Sequence, residues 1–332
     1  MSGTRRLDAK TTLIVVCLLV VAAGIGGWFY AFGSQDEEGT CHRLLKHERT
    51  RTALGSAYEP DLTCAELGEA IVGATTGKQA GRHSLSQAQA MKDVLLALAD
   101  TTEVNDSSLD PELTAPVSLA LADYAPDVFG VLAPGSIDYL RHELPSDKAW
   151  EDGKGAHMSV PAASLLRVMV GLSADPDSYA NLHRALTGRV AEELPGAAHD
   201  KTESALSPYP TVASWVVGDM NAVAAAAREG LGQSESSEWD KKVLARLTEG
   251  PAHVPSFGDD PSGHITGSWR ATLPRQVPDD LLEVLEAQGA EMTRAWATAL
   301  GTSEEVARAL VRDAQESAFS ARRSALRDYR SS

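Results

Sequence analysis

The chain has 332 residues and a formal charge of −16, with 30 Lys plus Arg against 46 Asp plus Glu; 43% of it is hydrophobic and only 5% aromatic. That length supports a proper buried core, and alanine abundance with few aromatics favours close-packed helices over a β-sandwich. The acidic balance, with no Lys/Arg stripe in the main body, argues against nucleic acid as a partner, because phosphate binding needs a basic surface.

The first 33 residues carry Arg5, Arg6 and Lys10 against Asp8, a net of +2, so the remainder carries −18. After this basic tail (1–11) comes an uncharged apolar stretch, Thr12 to Phe32, and then the acidic juxtamembrane linker 33–40, with Asp36, Glu37 and Glu38. At about 1.5 Å per residue the stretch reaches roughly 31 Å, the thickness of a hydrocarbon layer. Trp28, Phe29 and Tyr30 gather at its far end, as aromatics do at a headgroup boundary. The reading is a transmembrane signal-anchor in the plasma membrane, single-pass, with a cytoplasmic N-terminus and an extracytoplasmic bulk. A cleavable signal peptide ending at Ala31-Phe32-Gly33 is the rival, and Cys17 is a poorer lipoprotein site because Val16 precedes it. Ala22/Gly26 and Ala23/Gly27 form small-xxx-small pairs through which two anchors would pack as a homodimer.

Two cysteines follow directly, Cys41 and Cys64, with His42 and His47 between them. On the oxidising side of a membrane they are expected to form a disulfide, closing a loop of about 24 residues. A zinc set would need the adjacent Cys41 and His42 to converge on one ion, and a redox pair would show C-x-x-C spacing. Neither pattern fits.

Capping signals then punctuate the chain. Thr63-Cys-Ala-Glu66 and Ser84-Leu-Ser-Gln87 read as capping boxes, while Asp110-Pro111 and Asp175-Pro176 pair an N-cap with proline at the first helical position. Together with apolar periodicity they predict helices near 42 to 54, 64 to 76, 85 to 101, 111 to 123, 136 to 143, 160 to 173, 176 to 194, 209 to 231, 236 to 249, 279 to 300 and 303 to 329. The fold class is therefore all-α, a bundle-like extracytoplasmic domain over 41–332. Val212 to Leu231, apolar on most of its circumference, is expected to be its central helix, and Asp219 and Asn221 exclude it as a second membrane span.

Two stretches break the helical pattern. Glu143 to Ser159 is polar and reads as a loop, with a subdivision of the domain near 144–159. Gly250 to Pro278 is rich in Pro and Gly, and with the alternating HITGSWRATL inside it reads as either a short β-hairpin or a long ordered loop.

Chemistry is hard to find along the chain. His47-Glu48 and His142-Glu143 lack the second histidine of a zinc helix, and no nucleophile elbow, phosphate loop or dinucleotide fingerprint is present, so no cofactor is expected. Asp259, Asp260 and His264 in a Gly-rich turn are weak metal candidates, set against a simple Asx turn. Carboxylates at Glu143, Glu151, Asp152, Asp259 and Asp260, with Trp150 and Trp269 in the same two loops, would serve a cell-wall hydrolase; with 46 acidic residues in the chain, such a pair carries little weight.

His83 to Asp100 (HSLSQAQAMKDVLLALAD), Leu165 to Leu194 and Thr293 to Val311 resemble alanine-rich actinobacterial proteins of the type VII secretion and WXG100-like neighbourhood. The junction S-x-D-P-x-x-Y/F-x-x-L of that group is matched by Ser173, Asp175, Pro176, Tyr179 and Leu182. The resemblance implies a helical, exported protein and transfers no catalytic residue; the W-x-G turn of free secreted substrates is missing. The expected function is a membrane-anchored scaffold, adaptor or immunity-like component that binds a protein of the envelope. A peptidoglycan hydrolase or an exported effector or toxin domain is the alternative.

Overall fold

The structure, a computed structural model, describes residues 39–102, 109–250, 253–276, 278 and 280–331. The basic tail, the anchor with its small-xxx-small pairs and nearly all of the acidic linker lie outside the described residues. Among those described, no helix is long and apolar enough to cross a membrane.

Residues 39–332 form one compact unit, and it is helical as expected. Its elements are α1 (Thr40–Lys46), α2 (Glu48–Leu54), α3 (Cys64–Thr75), α4 (Leu85–Thr101), α5 (Pro111–Asp123), α6 (Ala125–Leu132) and α7 (Ile137–Arg141), then β1 (Trp150–Asp152) and β2 (Gly155–His157). There follow α8 (Ala162–Ser173), α9 (Pro176–Glu192), α10 (Glu203–Leu206), α11 (Pro208–Arg228), α12 (Gln233–Leu247), α13 (Pro261–Thr272), α14 (Leu281–Glu286), α15 (Gln288–Leu300) and α16 (Glu304–Ser331).

The predicted starts hold for a local reason. Thr63 and Ser84 each accept from the backbone N–H three residues on, and Glu66 and Gln87 return the bond to the cap's own N–H. Asp110 and Asp175 accept from Glu112 and Ser178 ahead of their prolines. Two predicted helices are interrupted. The first breaks at His47, extended at ψ 133°, whose imidazole accepts from the Arg49 N–H and opens α2. The second divides at Ala287 into α14 and α15.

The hairpin is in the other loop. Residues 261–272 are helical, because Asp260-Pro261 repeats the cap-plus-proline device and Ile265 and Trp269, four apart, are both buried. The alternation in HITGSWRATL is thus one helical face read at the wrong period. The true hairpin pairs Trp150 with His157 and Asp152 with Gly155 around a two-residue Gly153-Lys154 loop, inside a stretch read only as polar loop.

Two helices are buried through most of their circumference. One is α11, as expected, lying along α16 with α8 and α15 beside it. At their closest approach a Cβ on Gly218 would stand 2.2 Å from the Ala318 carbonyl oxygen and 2.8 Å from the Ala321 methyl. The other is α4, buried without a break from Ala90 to Ala99. It includes Lys92, whose ammonium donates to the His142 and Leu144 carbonyls, and Asp93, which accepts from Arg49 and Gln89. Burial lowers the Lys92 pKa, and the two carbonyls satisfy the amine while tying the loop after α7 onto the core.

Candidate functional site

A dense polar cluster lies where that loop and the hairpin meet α6 and α7. Its centre is His157, whose Nδ1 is 2.8 Å from Asp127 Oδ1 while Nε2 is 3.1 Å from Asp152 Oδ1. Asp127, buried on α6, also accepts from the Tyr139 hydroxyl at 2.7 Å. The Tyr139 ring lies over Gly130, where a Cβ would come within 2.2 Å of it, so only glycine admits the ring there. Trp150 stacks on His142 at 4.4 Å, with the Tyr139 ring edge-on at 5.1 Å and His157 at 5.4 Å.

The charges follow from this geometry. With a carboxylate oxygen at each ring nitrogen, His157 satisfies both contacts only when both nitrogens carry protons. The Asp127 hydrogen bond, then the remaining contacts with Asp127 and Asp152, hold its pKa above the ordinary histidine value despite burial. The Lys154 backbone N–H and then His157 hold Asp152 below the usual carboxylate range. Burial, and next the Asp127 charge, push the Tyr139 phenol up and keep it a neutral donor.

This arrangement builds a clamp. Its hydroxyl is a phenol that resists ionisation, and Ser159 donates to the Tyr139 carbonyl instead of meeting the imidazole. The two carboxylates approach opposite nitrogens of one ring, so they do not converge on a metal. Among the described residues, the one group whose ligand atoms do converge is Cys41, Cys64 and Asp110, and there the two sulfurs are bonded to each other.

Of the residues singled out in sequence, Trp150 and Asp152 belong to the cluster. Glu151 points to the opposite face of its strand, and Glu143 sits in the turn after α7. Trp269 was expected in a loop; it is 2% exposed on α13 and packs near His183 at 5.4 Å, a different neighbourhood from that of Trp150. Asp260 caps α13 through the Gly263 N–H, His264 Nδ1 bonds the Pro255 carbonyl, and Asp259 is exposed beside them. Sequence reasoning missed His157, Asp127 and Tyr139. The Gly153-Lys154 pair was the available signal, since a two-residue hairpin loop there places Trp150 across from His157.

A second polar group is internal. Tyr179 and Leu182 of the S-x-D-P-x-x-Y-x-x-L junction are core residues, Asp175 is the cap of α9, and the Ser173 carbonyl accepts from the Trp239 indole. Nearby, His183, Thr187 and Gln288 line a cavity of about 10 Å³, room for one water and no organic ligand. Complete burial lowers the His183 pKa to about 4. Because the folded value lies below the unfolded one, the neutral ring stabilises the fold above about pH 6.5, and this is lost as pH falls towards 4. Melting temperatures are expected to fall over that window in the wild type and to fall less in His183→Gln; equal acid sensitivity in the two would refute the assignment.

No protein-family model, curated protein or solved structure matches this chain.

Proposed function

We propose that this chain is a single-pass, membrane-anchored scaffold or adaptor whose extracytoplasmic helical domain binds a protein of the cell envelope. The observation that carries this reading is an apolar ridge on α7 and the turn after it. Ile137 and Leu140, one helical turn apart, are 60% and 55% exposed, and Leu144 follows at 56%. Two large exposed aliphatic side chains one turn apart, with a third in the turn that follows, offer apolar surface of the kind found at interaction sites. Its support is specific: Tyr139 between them is pinned to Asp127, and Lys92 holds the Leu144 carbonyl. The membrane location rests on the uncharged segment Thr12 to Phe32 between basic and acidic flanks.

The hydrolase alternative draws no support from the geometry, since Trp269 is internal and one face of Trp150 is covered by His142. The test is crosslinking of tagged full-length protein in its native membrane, followed by identification of what is captured. Leu140→Asp is expected to reduce recovery of the partner at least tenfold while leaving the melting temperature unchanged, and Phe319→Ser on α16 serves as the exposed control. Equal recovery with Leu140→Asp would remove the ridge from the interface.

A further inference from the structure

We propose that His157 is a pH-sensitive latch on the ridge: as an imidazolium it ties the hairpin to α6 and α7 and holds the ridge for its partner, and on giving its proton to solvent it releases the hairpin. The partner-binding role rests on the function proposed above; the latch itself rests on the cluster alone.

The two carboxylates differ in what the loss of their donor costs. Asp127 is buried, with its side chain 4% exposed, so losing a donor there is costly. Asp152 is 47% exposed and also accepts from the Lys154 N–H, so water replaces the imidazole at little cost. A neutral His157 therefore keeps its single N–H on Asp127. Its Nε2 lone pair then faces the Asp152 carboxylate, and this contact turns repulsive. The break falls on the hairpin side, where β1 carries both Asp152 and Trp150, and Trp150 is the ring against His142 and Tyr139 of the ridge segment.

Other charges around His157 are already engaged. From α9, Arg189 bonds Glu192 and Glu193 and lies over Phe129, while it also acts on the Tyr139 phenol. From α4, which packs beneath the hairpin, Lys92 holds the 142–144 carbonyls and Asp93 holds Arg49. His142, stacked on Trp150, is the other titratable ring of the cluster. The direction follows from the His157 pKa lying above its ordinary 6.5. Stabilisation by the imidazolium is complete below pH 6.5 and is lost as pH rises through the folded value.

Amide protection of residues 149–158 in the full-length protein, normalised to intrinsic exchange at pH 5.5 and 8.5, tests this directly. The wild type is expected to lose tenfold or more in protection at the higher pH, with peptides from α5 and α9 unchanged. His157→Gln should show the low value at both pH values, and Asp152→Asn, which keeps the Asp127 contact, should lose most of the pH response. His142→Gln should retain it. A pH-independent wild type, or a response that survives His157→Gln, overturns the latch. Crosslinked capture over the same range is read separately. Absence of any partner at either pH counts against the proposed function and leaves the latch to be judged on protection, whereas capture that is strong and equal at both pH values, with protection lost, overturns the gating.

Discussion

Gly218→Ala is expected to destabilise the domain by about 2–3 kcal/mol, and Gly218→Val by more, because the added carbon meets a backbone carbonyl that no side-chain rotation moves aside. The Ala318 oxygen would stand 2.2 Å from it. Relief requires α11 and α16 to separate along the most extensive helix–helix seam among the described residues, which loosens packing around the buried Ala314, Ala318, Ala321 and Ala325 together. Gly73 supplies the opposite case. It is exposed on α3 with nothing within 4 Å of its built Cβ, so Gly73→Ala is expected to stabilise by up to about 1 kcal/mol through helix propensity. Thermal melts of the two single variants should therefore move in opposite directions; a Gly218→Ala protein that melts like the wild type would show that the seam has slack.

Cys41→Ser should cost about 3 kcal/mol. The two Cα atoms are 5.7 Å apart, within the normal disulfide range, and the bond joins residues 23 apart in sequence. For a domain of this size the melting temperature should fall by roughly 5 °C, with partner capture unaffected because the ridge is carried by α7. Free-thiol titration of the unfolded wild type should find these two cysteines unreactive until reduced, and chelators should leave its melting temperature unchanged. Two free thiols and a chelator-sensitive fold would establish a metal site in place of the staple.

The legible parts of the fold were those set by local chemistry. Cap residues at Thr63, Ser84, Asp110 and Asp175 satisfy their own helix ends within three residues, so their meaning does not depend on the rest of the chain. The disulfide was legible from the position of the two cysteines just after the expected anchor and from the absence of metal or redox spacing. HITGSWRATL was misread because ten residues with buried Ile265 and Trp269 suit either period, and the decisive Asp260-Pro261 had been assigned to a turn. The helix α6 escaped notice between the end of α5 and a Pro-Gly turn, and it carries Asp127. The clamp was illegible for that reason: Asp127, Tyr139 and His157 span 30 residues, and only the packing of α6, α7 and the hairpin brings them together.

The staple also determines how the domain meets a pull. Tension on the chain ahead of Gly39 enters at Cys41, the second residue of α1, and crosses at once to Cys64, the first residue of α3. The 22 residues between them, with α1 beyond its first turn and all of α2, lie off the load path. Force therefore reaches the core through α3, seated against α4 and α5, while the His47 break between α1 and α2 carries none of it. Reduction would put that break in series with the rest, so the bond acts as a mechanical bypass as well as a thermodynamic staple.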